Sequence, residues 1–224
     1  MTEDVRNRLL NIKESLPQGT VLVAVSKFHP AESILAAYEA GQRDFGESRA
    51  QELVAKHSAL PADIQWHFIG HLQQNKVKHV VPSVSLIHSV DNLKLLQEID
   101  KQAARCGRII PCLLQLHVAQ EETKFGFTPE ECRSMLEAGN WKACHHVQIS
   151  GIMCMASNTD NQEQVGKEFQ TAYHFFEEAK NEFFKNDTSF HIRSWGMSHD
   201  YQIALAEGSN MVRIGTAIFG ERTY

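Results

Sequence analysis

Lys27 closes the apolar run VLVAVSK (Val21–Lys27). A lysine is almost never fully buried unless it is paired or chemically used, so the end of an interior strand is an unusual place for one. Alternation along a strand puts Val21, Val23, Val25 and Lys27 on one face and Leu22, Ala24 and Ser26 on the other. If the first face turns inward, the amine stands at the top of an apolar tunnel. Desolvation lowers a lysine's pKa and frees the amine as a nucleophile toward carbonyl carbon, which is Schiff-base chemistry. The alternative is a lysine that snorkels to solvent from a strand end.

A second set of chemistry-bearing residues lies near the other end of the chain. SWGMSHD (Ser194–Asp200) holds Met197 and Ser198, and VRIGTAIFGER (Val212–Arg222) holds Arg213, Gly215 and Thr216. A hydroxyl with backbone N–H groups at the start of a helix suits an anion, and that is the placement expected for Ser198. Gly215-Thr216 offers unhindered N–H groups and a second hydroxyl. The plainer reading makes Ser198 an N-cap and Gly215 a tight turn.

The elements that must bring these ends together alternate. The strand-like segments are Thr20–Lys27, Arg43–Gly46, Ile64–Gly70, Leu86–Val90, Pro111–Val118, Gln148–Met155, Phe190–Trp195 and Met211–Gly215. Helical spacing covers Ala31–Ala40, Ser48–His57, Asn75–Val80, Asn92–Cys106, Pro129–Glu137, Glu163–Phe184 and Tyr201–Glu207, after a leading helix Glu3–Ser15. Helix-sized crossovers make the strands parallel. Closure of eight such units predicts an α/β fold, a single (β/α)8 TIM-type barrel. An open doubly wound sheet is the competing arrangement. No linker divides residues 1–224, so one domain is expected. In such a barrel function collects at the C-terminal strand ends, and the loops after strands seven and eight frequently hold a phosphate. A Schiff-base lysine after strand one and a phosphate cup after strands seven and eight fit one ligand type, a phosphorylated aldehyde. Pyridoxal 5′-phosphate is the obvious candidate.

Composition narrows the classes. The 224 residues carry a net charge of −5, with 22 basic and 27 acidic side chains and no long run of like charge. Nucleic-acid binding is disfavoured on that balance. No apolar run is long enough to span a bilayer, and the N-terminus reads as an amphipathic helix rather than a signal peptide, so a cytoplasmic location is expected. The cysteines (Cys106, Cys112, Cys132, Cys144 and Cys154) are odd in number and lack C-x-x-C spacing, which reads as reduced thiols. His67 and His71 straddle a strand and a glycine turn, and His145 and His146 would point to opposite faces of a strand, so no metal site is expected. Neither G-x-G-x-x-G nor G-x-x-x-x-G-K occurs where a nucleotide loop would need it.

The stretches VAVSK (23–27), GQRDFGES (41–48), WHFIGHLQQNK (66–76), GIMCMA (151–156), WGMSHD (195–200) and GSNMVRIGTAIFGER (208–222) together resemble the pyridoxal phosphate homeostasis proteins (the YggS/PROSC family). These are barrels similar to the N-terminal domain of alanine racemase. The resemblance implies that Lys27 carries pyridoxal phosphate as a Schiff base. It also implies that Met197, Ser198, Gly215 and Thr216 surround the phosphate and that Arg213 faces the pyridine nitrogen. Ser48 stands where many members have Asn, and it is carried as a cofactor contact. A guanidinium has no acceptor and stays charged, so it would leave the ring nitrogen unprotonated and the ring a weak electron sink. The alternative for Arg213 is pairing with a carboxylate.

Three functions follow from these readings. The first is a monomeric, non-catalytic holder of pyridoxal phosphate in vitamin B6 homeostasis, with pyridoxal-phosphate-dependent apoenzymes as partners. The second is an amino-acid racemase. The third is an aldolase-like enzyme using Lys27 on a substrate carbonyl. Racemisation needs acid–base groups on both faces of the cofactor. In alanine racemase the second is a tyrosine from another domain. Here the chain stops after strand eight at Tyr224, and of Tyr38, Tyr173, Tyr201 and Tyr224 only Tyr201 is expected near the barrel mouth, as a packing residue.

Overall fold

Eight short β-branched and aromatic segments pair in chain order and close on themselves. The structure, a computed structural model, describes residues 2–121 and 125–221; Arg222 and Tyr224, named above, lie outside them. The strands are β1 (Val21–Val25), β2 (Asp44–Glu47), β3 (Gln65–Phe68), β4 (Leu86–Val90), β5 (Ile110–His117), β6 (Val147–Met155), β7 (Ile192–Ser194) and β8 (Met211–Ile214). Helix α1 (Thr2–Ser15) precedes them. Between strands lie α2 (Ala31–Glu39), α3 (Ala50–Ala59), α4 (Val77–Val80), α5 (Leu93–Arg105), α6 (Pro129–Ala138), α7 (Gln162–Glu182) and α8 (Tyr201–Ala206), and α9 (Thr216–Phe219) follows β8. Every pairing is parallel, and β1 pairs with β8 from Val21↔Met211 to Ala24↔Ile214. That closure decides for the (β/α)8 barrel over the open sheet.

Local signals set the helix starts. Asn92 and Asn161 accept hydrogen bonds from Leu95 N and Gln164 N at the heads of α5 and α7. Thr128 and Glu131 form a reciprocal capping box on α6, with Pro129 in the first turn and Gly139 left-handed at its end. Two elements were missed. A 3₁₀ turn, Asn140–Ala143, follows α6, and α9 is a four-residue helix where the sequence reads only as a turn. His145 and His146 precede β6 rather than sitting within it. They follow the 3₁₀ turn and lead directly into the strand at Val147.

The core has two parts. Between sheet and helices lies a continuous apolar layer that includes Leu22, Ala24, Phe45, Trp66, Phe169 and Trp195. Inside the barrel lies a small cluster of Val23, Leu86, Leu113, Met153 and Met211. The strand-one alternation expected above therefore holds, with Val23 inward and Leu22 and Ala24 outward. Gly151 lies at the tightest strand approach. Its φ is +151°, and a Cβ there would fall on the carbonyl oxygen of Ile192 in β7. Only glycine lets β6 pass so close, and the β5–β6 register shifts beside it.

All five cysteines are free thiols. Among the described residues no helix is long and apolar enough to cross a membrane, and no group of three metal-ligating side chains converges.

Candidate functional site

The turn that carries Lys27 is fixed from below. β1 ends at Val25, so Lys27 sits just past the strand rather than in it. Buried Ser26 donates through Oγ to Glu47 Oε1 at 2.6 Å. Lys56, on α3, donates to Ser26 O at 2.8 Å, to Glu47 Oε1 at 2.8 Å and to Glu52 Oε1 at 2.7 Å. Glu52 Oε1 also accepts from the backbone N of Phe28 at 2.7 Å. Phe28 has φ +67°, a left-handed conformation that a bulky side chain rarely adopts. Three side chains from β2 and α3 hold that strained step in place, and Arg49 lies over the Phe28 ring at 4.5 Å.

Glu47 is fully buried, and burial pushes its carboxyl above the usual range, partly opposed by Lys56 and Ser26. The folded chain therefore holds a proton on Glu47 more tightly than the unfolded chain does. Its contribution to stability is fullest below the ordinary carboxylate range and is lost as pH rises through the raised value. Urea unfolding at a series of pH values should show this slope in the wild type and a flatter one in Glu47→Gln. An unchanged slope would mean that Glu47 does not titrate in the fold.

The β7–α8 loop supplies the opposite wall. The sequence places Ser198 at the start of a helix, but α8 begins at Tyr201 with Asp200 at the capping position. Residues 197–200 form their own turn, in which Tyr201 N donates to Met197 O at 2.9 Å and Asp200 Oδ1 accepts from Met197 N. That turn uses the first backbone groups ahead of the helix and leaves Ser198 facing β8. There Gly215 N donates to Ser198 Oγ at 3.3 Å. A Cβ on Gly215 would stand 3.2 Å from Val25 O and 3.3 Å from Val25 Cβ, so glycine keeps this junction close to the Lys27 turn.

Arg213 forms the floor. It is 4% exposed, and Nη1 donates to both O and Oγ of Ser194 at 2.7 Å, while Nη2 donates to Cys154 O at 3.0 Å. No described carboxylate pairs with it at ion-pair distance, so the carboxylate alternative does not hold. Burial lowers its pKa, and nearby Cys154 and Asp200 act the other way. The guanidinium is nonetheless a fixed, donor-only group.

These pieces meet in one cavity of about 220 Å³ at the C-terminal strand ends. Six of the seven expected residues line it: Lys27, Met197, Ser198, Arg213, Gly215 and Thr216. Ser48 does not. It lies half-buried after β2, with its backbone against Gly70. The cavity's apolar walls, Val25, Ile69 and Met155, were not among the expected cofactor contacts, and neither was His199 beside Ser198. Val25 shares the inward face with Lys27, and Ile69 and Met155 stand at strand ends, so position alone could have found them. Tyr201 faces away, with its hydroxyl 3.5 Å from Ser15 Oγ.

The family model for the alanine racemase N-terminal domain matches residues 2–223. The pyridoxal phosphate homeostasis protein of Aquifex aeolicus is 39% identical over 204 residues, covering 91% of this chain and 87% of that one. The pyridoxal phosphate homeostasis protein of Homo sapiens is 37% identical over 214 residues, covering 91% and 77%. The chain belongs to the pyridoxal phosphate homeostasis family. Among solved structures, PipY of Synechococcus elongatus superposes with a TM-score of 0.90 at 36% identity without PLP, covering 96% of this chain and all of that one. With PLP bound, PipY superposes at 0.87 and 35% identity, over the same 96% of this chain. Alanine racemase of Clostridium difficile, in complex with cycloserine, shares the barrel at a TM-score of 0.78 and 17% identity, over 99% of this chain and 60% of its own. That last likeness speaks for the fold alone.

Proposed function

We propose that this protein holds pyridoxal 5′-phosphate on Lys27 and serves cofactor homeostasis without catalytic turnover. The observation that carries the reading is the convergence of Lys27, Arg213 and the Ser198–Gly215–Thr216 junction in one cavity. Each part fits the group. Ser198 and Thr216 bring hydroxyls beside close-set backbone at Gly215, as a phosphate requires. Val25, Ile69 and Met155 give an aromatic ring apolar walls. Arg213, anchored on three acceptors, offers a ring nitrogen donors and no acceptor.

When bound, pyridoxal phosphate supplies an aldehyde that condenses with amines and a ring that can withdraw electrons. This chain's residues favour the first property over the second. Lys27 provides the amine at a fixed turn. Arg213 can only donate to a ring nitrogen and has no acceptor for its N–H form, so the nitrogen would stay unprotonated and the electron-withdrawing power of the ring low. Racemisation also needs a second acid–base group opposite the lysine. Of the cavity's side chains, His199 alone could serve, and it is half-exposed and 3.4 Å from Asp200 Oδ2.

On this reading the chain is a single cytoplasmic domain that works as a monomer and hands its cofactor to pyridoxal-phosphate-dependent apoenzymes. The test is to incubate the loaded protein with L-alanine and other amino acids and to follow D-isomers and keto acids by chiral chromatography. The expected result is no turnover above free cofactor. Robust turnover that disappears in Lys27→Ala would restore the racemase.

A further inference from the structure

The barrel interior below Arg213 is not wholly apolar. A line of hydrogen-bonded side chains runs down it from strand to strand. Arg213 (β8) donates to Ser194 Oγ (β7) at 2.7 Å, and that oxygen is 3.0 Å from His88 Nδ1 (β4). His88 Nε2 is 2.9 Å from His67 Nδ1 (β3), and His67 Nε2 is 3.1 Å from Asp44 Oδ1 (β2). Ser194 and His88 are fully buried, and His67 is 4% exposed. Asp44 and His67 line a separate cavity of about 350 Å³ that also touches His191, Asn210 and Met211 at the opposite end of the barrel. The line therefore joins the candidate cofactor cavity to a second opening.

Its two ends have fixed chemistry. Arginine can only donate and an ionised aspartate can only accept. With both histidines neutral, one arrangement satisfies every contact. Ser194 accepts from Arg213 and gives its hydroxyl proton to His88 Nδ1. His88 Nε2–H donates to His67 Nδ1, and His67 Nε2–H donates to Asp44. Adding one proton allows a second arrangement. The His88 Nε2 proton passes to His67 Nδ1, so His67 becomes an imidazolium beside Asp44. The added proton rests on His88 Nδ1, which now donates to Ser194 Oγ. The serine oxygen then accepts from Arg213 and His88 together, and its own hydrogen turns away.

We propose that His67, His88 and Ser194 form a one-proton relay in which the charge state of His67, at the far end of the barrel, sets whether the Ser194 oxygen serves Arg213 alone or Arg213 and His88 together. They are positioning residues for Arg213. The relay stands on its own geometry, while its effect on a bound ring rests on the function proposed above. Among the described residues, the charged and titratable groups around it are Arg213 from β8 with Cys154 and Asp200 near it, Asp44 from β2 with Lys13 and Arg43 near it, and His191 across the lower opening. His88 is held well below the usual histidine range by burial and by its positive neighbours, which keeps it the neutral member in both arrangements. A hydrogen-bonded chain of this kind passes polarisation along its length.

The test begins with the cofactor-free protein, labelled with ¹⁵N in histidine and arginine and assigned from the backbone. At the alkaline end both His67 and His88 should carry their proton on Nε2. As His67 titrates, His88 should switch to the Nδ1–H tautomer, and the Arg213 side-chain shift should move in step. A His88 that already carries Nδ1–H when His67 is neutral, or that keeps its tautomer throughout, would overturn the relay. An Arg213 shift that ignores the switch would overturn the transmission. In protein loaded with pyridoxal phosphate, the visible absorption should show a pH step at the same midpoint, and His67→Gln should remove it. Absence of that step despite a switching Arg213 would refute the effect on the ring, and failure to load at all would refute the cofactor reading while the relay result stands.

Discussion

Lys27→Ala is expected to abolish covalent retention of pyridoxal phosphate. Borohydride reduction of the wild type, followed by digestion and mass spectrometry, should place a pyridoxyl group on the Lys27 peptide and nowhere else at comparable yield. A rival amine beside the same turn is Lys56, which is buried but already donates to Glu47, Glu52 and Ser26 O. An amine already engaged with three acceptors is poorly placed to attack a carbonyl. The variant should therefore lose the label entirely and not transfer it to a neighbour. Its fold should survive, because Lys27 is half-exposed and Ser26 and Phe28 tie the turn to Glu47 and Glu52. A label that maps elsewhere, or persists in Lys27→Ala, would refute the site.

Ser198→Ala and Thr216→Ala should each weaken retention of the phosphate ester. A hydrogen bond to a charged group contributes about 1.5–3 kcal/mol, or roughly one to two orders of magnitude in Kd. The two hydroxyls share one junction, so the double variant need not equal the sum. Pyridoxal itself lacks the phosphate and should bind far more weakly to the wild type, with the difference shrinking in the double variant. Equilibrium titration by absorbance measures all of these. Equal affinity for the two aldehydes in the wild type would remove the cup.

Much of this was legible because it repeats at short range. The strand alternation Val21-Val23-Val25 oriented β1, and Met211, Arg213 and Gly215 oriented β8 in the same way. Barrel closure could be inferred only from the number of units, and the β1–β8 pairing supplies the contact itself. Ser198 shows where local signals mislead. Serine near a helical pattern reads as a cap, but Asp200 takes that place once the 197–200 turn folds. Ser48 follows Glu47 in sequence, yet the close packing of Gly70 against its backbone leaves it outside the cavity wall. The histidine line lay wholly beyond reach of the sequence, because His67, His88 and Ser194 sit on three strands and meet only when the sheet closes.

The anchored turn at Ser26–Phe28 also bears on entropy. Most reactive side chains on surface loops lose backbone freedom when they engage a ligand, roughly 1–2 kcal/mol for each residue ordered. Here the left-handed step at Phe28 and the bonds from Glu47, Glu52 and Lys56 restrict the backbone before any ligand arrives. Folding energy has already met that cost. Capture at Lys27, as proposed, would then restrict little beyond the lysine's own methylene chain, and release would give little more back. On the proposed function, loading and unloading would then need little rearrangement of the Ser26–Phe28 backbone.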